Sequence, residues 1–233
     1  MSSKVTELEK TETSVQPSAT RGTLFVVSSP SGGGKGTLIR RVLEVVENLS
    51  YSVSYTTRGP RPTELNGREY FFVDRAEFEE MVADGEFLEW ACVHGNYYGT
   101  SKRQIVEKIS AGIDIVLEVD VQGAASVRQL LMDSVSVFIL PPSYEVLKAR
   151  LCARGTDTPE SLALRLRNAP DELRQYSSFD YVIINDEIER AVAQLASIIY
   201  AERARCVRQE SLVRTVMEEF RFAEAKDSKT GQS

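Results

Sequence analysis

Two hydrophobic patterns alternate along the chain. Short, nearly unbroken apolar runs recur at TLFVVS (23–28), IDIVLEVD (113–120), SVSVFILP (134–141) and DYVIIND (180–186). Runs of this kind mark strands buried on both faces, as in a parallel sheet. Between them, apolar residues recur at helical spacing. From Thr37 to Asn48 the pattern predicts a helix with Leu38, Val42, Val45, Val46 and Leu49 on one face. After the last run, Ile188, Val192, Leu195 and Ile199 share a face in the same way. Further helices are predicted at about 122–132, from Ser143, and from Thr158-Pro159, a good cap and first-turn pair. Such alternation predicts an α/β fold, a parallel core sheet flanked by helices.

Residues 51–104 interrupt this pattern. They are rich in Tyr, Thr, Arg and Gly, with strand-like runs YSVSYTT and REYFFV and one helix between a cap at Asp74 and a stop at Gly85. We read them as an inserted region, and the Arg-rich segment 150–169 as a second, smaller insertion of lid type. The core then comprises 22–50, 105–149 and 170–205. Residues 1–21 are polar and rich in Ser, Thr and Glu, the composition of a disordered extension. Residues 206–233 are expected to form a helix and a frayed polar tail, AEAKDSKTGQS. No internal repeat is present.

Composition narrows the function classes. With 42% apolar residues, the 233-residue chain can bury a substantial core. A net charge of −6 argues against a general nucleic-acid binder, which needs a basic face. It leaves room for a small polyanion held by local arginines. Cys92, Cys152 and Cys206 are far apart and odd in number, and His94 is the only histidine, so neither a zinc site nor a disulfide framework is expected. No apolar run reaches the roughly 18 residues of a membrane span. The first 20 residues contain no apolar signal-peptide core. These features together predict a soluble, cytoplasmic protein without a membrane partner; no motif assigns an oligomeric state.

One glycine-rich stretch carries candidate chemistry. SSPSGGGKGT (28–37) follows the first strand and opens the first helix. It nearly matches the phosphate-loop pattern G-x-x-x-x-G-K-[ST]. Ser29 stands at the first glycine position and Gly36 at the hydroxyl position, with Thr37 supplying a hydroxyl one residue later. A glycine run also permits an ordinary turn. The Gly34-Lys35 pair at a helix start favours a phosphate cradle, with backbone N–H groups and a lysine aimed at anionic oxygens.

Four longer motifs occur in order: VSYTTRGPRPTELNGREYFFV (53–73), FLEWACVHGNYYGTS (87–101), LEVDVQGA (117–124) and LCARGTDTPESLALRLRNA (151–169). Together with the glycine loop they resemble the guanylate kinase family, from about Gly22 to about Arg205. The resemblance implies a P-loop nucleoside-monophosphate kinase fold with core, GMP-binding and lid regions. It implies the reaction ATP + GMP to ADP + GDP, with Mg²⁺ accompanying ATP. It places ATP on Ser29, Pro30, Ser31, Gly32, Gly33, Gly34, Lys35, Gly36 and Thr37. Asn185 either contacts the adenosine or is structural, with Asn185 or Asp186 capping the following helix. The GMP phosphate falls to Arg58, Arg61, Tyr70 and Tyr98, with Tyr97 a packing neighbour. Arg58 and Arg61 taken alone would read as solvated charges. Glu89 would accept the N1–H and N2–H₂ donors of guanine, supported by Ser54, Thr100 and Asp120. Adenine presents an acceptor at the equivalent ring nitrogen.

Glu118 and Asp120, at the end of a strand, are expected near GMP and near Mg²⁺ through water, with no direct protein ligand to the metal. The lesser alternative is an acidic strand end that caps the next helix. Lys35, Arg154 and Arg165 would be the catalytic cations, Arg165 also facing GMP, with Arg150 a possible helper and Arg167 a surface charge. His94 is given no catalytic role. The alternative is a non-catalytic module that binds phosphorylated ligands through its Arg and Tyr cluster. A third reading, a related kinase for another phosphorylated small molecule, is disfavoured by Glu89, Ser54 and Thr100.

Overall fold

The computed structural model describes residues 21–62, 64–93, 95–153 and 158–230. Residues Arg21–Arg205 form one compact unit. At its centre is strand β1 (Leu24–Ser28), flanked in parallel by β7 (Asp114–Glu118) and β8 (Val135–Leu140). Strands β2 (Leu49–Tyr51) and β9 (Tyr181–Ile184) complete a five-stranded parallel sheet in the order β2-β7-β1-β8-β9. The apolar runs are unbroken because both faces are covered. Phe25, Val27, Val116 and Val137 point to one cluster, with Leu38, Ile39 and Val42 of helix α1 (Lys35–Val45) and Val192, Leu195 and Ile199 of α7 (Ile188–Arg203). Leu24, Val26, Ile115 and Leu117 point to the other, with Ile105 and Ile109 of α3 (Lys102–Ser110) and Ala124 and Val127 of α4 (Val121–Leu130). The predicted apolar face of this helix needs two corrections: Val45, the last helical residue, is 56% exposed with Ile39 filling the core instead, and Leu49 lies beyond the helix, where it opens β2.

The interruption is a second sheet. It runs β4-β3-β6-β5, from β3 (Ser54–Thr56), β4 (Tyr70–Phe72), β5 (Phe87–Val93) and β6 (Asn96–Ser101). β3 pairs with β4 in parallel; the other pairings are antiparallel. The run YSVSYTT is divided between sheets: Tyr51 ends β2 in the core and Ser54 opens β3. Helix α2 (Arg75–Ala83) covers this sheet. Asp74 caps it by accepting the Glu77 N–H, and Gly85 (φ 68°) follows its end, both as predicted. Phe78 of α2 stacks on Phe87 with ring centroids 4.6 Å apart.

Past the core strands, α5 (Tyr144–Ala153) and α6 (Pro159–Arg174) pack through Leu147, Leu151 and Ala169. Thr158 caps α6 by accepting the Ser161 N–H, with Pro159 in the first turn. The expected lid boundary at 169/170 falls inside this single helix. The C-terminal helix α8 (Cys206–Thr230) belongs to a separate unit. It runs through most of the segment predicted to fray, in keeping with the helix propensity of its Ala, Glu and Lys residues. Among the described residues, no helix is long and apolar enough to cross a membrane.

Candidate nucleotide-binding site

Ligand crevices of parallel α/β sheets open beyond the carboxyl ends of the strands. Here the loop after β1, the end of β7 and the second sheet line a cleft of about 900 Å³. The loop's shape follows from its glycines. Gly32 and Gly34 have φ of 85° and 88°, in the left-handed region that disfavours side chains. A Cβ on Gly32 would lie 2.8 Å from Leu151, and one on Gly34 would lie 2.3 Å from the Asn185 amide nitrogen. Ser29 is accommodated at the first pattern position because Gly33, which it packs against, has no Cβ. Gly34 caps α1 without a side-chain hydrogen bond, and the first turn carries no acidic residue of its own, so the positive helix end faces the cleft.

Lys35 and the end of β7 adjoin the loop. Lys35 Nζ donates to the Val119 carbonyl at 2.9 Å and lies 3.8 Å from Glu118. Glu118 accepts the Tyr51 hydroxyl at 3.3 Å, and its carboxylate faces the open side of Gly36. Burial, then the nearby Glu118 charge, holds the Tyr51 hydroxyl pKa well above its usual range. Asp120 is the N-cap of α4 and accepts the Gly123 N–H at 2.8 Å. The capping alternative therefore describes Asp120 but not Glu118.

Glu89 lies at the base of the cleft, only 8% exposed. Phe87, Leu88 and Glu89 are all buried, which regular alternation forbids; a register shift between Phe87 and Glu89 resolves this. The bulge sends Leu88 into the core cluster and leaves Glu89 facing the cleft. One Glu89 oxygen accepts the Thr100 hydroxyl at 2.6 Å, and Thr100 lies 3.5 Å from the Ser54 hydroxyl. Burial pushes the Glu89 pKa up to about 7; the Thr100 hydrogen bond opposes this and the Asp120 charge reinforces it.

Arg58, Arg61, Tyr70 and Tyr98 line the same cleft. Arg58 lies over the Tyr70 ring, 5.5 Å from its centroid. Glu64, not singled out from the sequence, draws the two arginines together. Its carboxylate accepts two 2.9 Å hydrogen bonds from Arg58 and one of 2.8 Å from the Arg61 N–H. Tyr97 packs, as predicted: it stacks on Phe78 at 5.4 Å and sits edge-on to Trp90.

From α6, Arg165 donates to the Ser31 hydroxyl at 2.8 Å, and Glu172, two turns on, accepts the Ser31 N–H at 3.0 Å. Glu172 is a second residue missed in sequence; its seven-residue spacing from Arg165 was the available signal. Arg150 and Asn185 are braces for the loop. The Asn185 amide donates to the Gly33 carbonyl at 3.0 Å, and Arg150 donates to the carbonyls of Gly33 and Asn185. The structure thus gives Asn185 a loop partner where sequence left adenosine contact or helix capping open. Asp186 accepts the Glu187 N–H beside the start of α7. Arg167 is exposed, as expected of a surface charge. Arg154 and His94 lie outside the described residues.

A parallel core sheet, a glycine loop opening a helix and an inserted acceptor sheet define a P-loop α/β kinase. A family profile described as Guanylate kinase matches residues 21–202. The guanylate kinase of Symbiobacterium thermophilum is 48% identical over 203 residues, 87% of this chain and 96% of that protein. That of Dechloromonas aromatica is 53% identical over 180 residues, 77% of this chain and 89% of its own length. The crystal structure of guanylate kinase from Anaplasma phagocytophilum superposes with a TM-score of 0.69 at 35% identity, over 81% of this chain and 90% of that one. The chain belongs to the guanylate kinase family.

Proposed function

We propose that this protein transfers the γ-phosphoryl group of ATP to GMP, giving ADP and GDP. The observation that carries the acceptor assignment is Glu89, a buried carboxylate at the base of a cleft that also holds Arg58, Arg61, Tyr70 and Tyr98. Guanine offers two adjacent donors that a carboxylate accepts together; adenine would leave it facing an acceptor. Thr100 and Ser54 behind it set its orientation. The arginine forks and tyrosine hydroxyls suit the phosphate of the same nucleotide. ATP phosphates lie on the loop 29–37, where Lys35 leaves the Val119 carbonyl to meet them. Arg165, already at the loop through Ser31, supplies a second cation between the two anions, and we keep Arg154 as a third. The acceptor phosphate is itself an anionic nucleophile, so the protein's task is alignment and charge stabilisation.

The acidic groups present fit Mg²⁺ bound with ATP. This ion takes oxygen ligands, keeps several waters and uses one or two carboxylates beside phosphates. Glu118 faces the space that Gly36 leaves open, and Asp120 follows it in the chain; the two would hold the ion through water. When bound, the ion neutralises charge on the transferred phosphoryl group.

A phospho-ligand-binding module would need the Arg–Tyr cluster alone. The glycine-capped helix start, Lys35 and Arg165 on one cleft favour the kinase. ADP formation measured with GMP, AMP, CMP and UMP as acceptors tests this. Turnover is expected with GMP far above the others; no turnover with any of them, or a preference for AMP, would refute it. We further propose that the protein acts in the cytoplasm, in purine nucleotide metabolism.

A further inference from the structure

We infer that Gly123 is a specificity-determining position, because the lack of a side chain there is what allows the Glu89 carboxylate its guanine-reading pose. The inference rests on the role of Glu89 proposed above.

Gly123 lies in the first turn of α4, three residues after the Asp120 cap. Its φ is not in the left-handed region, so backbone conformation does not call for glycine. In a helix, glycine is disfavoured against alanine because it loses more backbone entropy on folding. The N–H that Gly123 donates to Asp120 would survive a change to alanine. Local chemistry therefore prefers alanine here.

Space explains the glycine. A Cβ at position 123 would lie 2.9 Å from Glu89 Oε2 and 3.1 Å from Val119 Cβ. The carboxylate cannot simply step aside. Its other oxygen is tied to Thr100 at 2.6 Å, and the group is 8% exposed. Any retreat from a methyl group at 123 must therefore rotate the carboxylate about its Thr100 bond or break that bond. Two parallel N–H donors require both oxygens in one plane and are sensitive to such a rotation. Glu89 thus has its pose set from two sides, by a hydroxyl on one oxygen and by an absent side chain beneath the other. Gly123 touches no substrate in this scheme; it is a positioning residue.

Inosine monophosphate separates this role from a general one. It keeps guanine's N1–H but lacks the 2-amino group, so it reports a single hydrogen bond where GMP reports two. The full-length Gly123→Ala variant is compared with wild type in kcat and KM for both acceptors at saturating ATP, in KM for ATP, and in Tm. The expected result is a Tm close to that of wild type, because the helix-propensity gain is offset by crowding against Val119, together with an unchanged KM for ATP and a loss of about tenfold or more in kcat/KM for GMP, with a smaller loss for inosine monophosphate. In the Gly123→Ala background, Glu89→Asp, which shortens the acid, is expected to cost less than it does alone. A GMP-to-inosine-monophosphate preference within about twofold of wild type would overturn the inference. So would a variant that fails to fold, or equal losses on both acceptors with a lowered Tm, since each would mark a structural role. Glu89→Gln tells the two readings apart. If it collapses the preference and Gly123→Ala does not, only the Gly123 inference fails; if neither does, the Glu89 reading fails.

Discussion

Glu89 shows how one residue's chemistry depends on its surroundings. An ordinary Glu is ionised well below neutrality, whereas burial here raises the pKa to about 7. Above that pH the group is a carboxylate, free to accept both guanine donors in the proposed complex; below it, a proton occupies one accepting oxygen. GMP affinity is therefore expected to fall as pH drops through about 7, measured by calorimetric titration on either side of that value. The phosphate of GMP titrates near pH 6, so the Glu89→Gln variant is the control: it should keep the phosphate step and lose the one near 7. The same variant is expected to lower kcat/KM for GMP on the order of a hundredfold, the worth of one to two charged hydrogen bonds, with KM for ATP unchanged. The sign for stability is opposite. The folded chain holds the Glu89 proton to higher pH than the unfolded chain, so ionising this group costs stability as pH rises from about 4.5 to 7. Family resemblance nominated Glu89 from the sequence. The bulge that turns it into the cleft was not legible, because Leu88-Glu89-Trp90 alternates like any half-exposed strand.

At the scale of elements, the phosphate loop was the most legible feature and the second sheet the least. A strand, a glycine run and a helix leave few arrangements, and local sterics choose among them. Gly34 combines a φ of 88° with the Asn185 amide 2.3 Å from where a Cβ would be. Gly34→Ala is expected to reduce kcat/KM for ATP at least about a hundredfold by moving the loop N–H groups, while GMP binding, measured without ATP, is retained. Equal loss of both ligands would mean that the change reaches beyond the loop. In the second sheet, the hairpin of β5 and β6 and the helix α3 after it were not anticipated. Their burial departs from simple alternation: β5 buries three residues in a row before alternating, and β6 ends on three buried residues. The pairing is held by non-local ring contacts such as Phe78 with Phe87 and Tyr97, which no local pattern announces.

On the scale of the whole molecule, the cleft gathers residues from Ser29 to Glu172, so ligand binding and stability are linked. GMP at a hundredfold excess over its Kd is expected to stabilise the protein by about 2.7 kcal/mol, read as a rise in Tm. Arg58→Lys should lose most of that rise, since a lysine cannot reproduce the guanidinium fork that Arg58 presents to Glu64. A full rise in the variant would exclude Arg58 from the phosphate site. The single tryptophan, Trp90, lies next to Glu89 in the chain and against Tyr97, so its emission offers a direct readout of GMP binding.

Sequence by itself determined the α/β class, the buried parallel strands and the phosphate loop, while resemblance to the family nominated the residues proposed to read guanine and phosphate. The first three depend on periodicity and on short-range steric rules, which act within a few residues. Tertiary structure alone decided that Glu64 holds Arg58 and Arg61 together, that Arg150 and Asn185 brace the loop, and that Glu172 and Arg165 meet at Ser31. It also decided that Glu89 rests between Thr100 and the bare Cα of Gly123. Most of these contacts join residues far apart in the chain, and the cost of closing such loops is met only when the whole core forms.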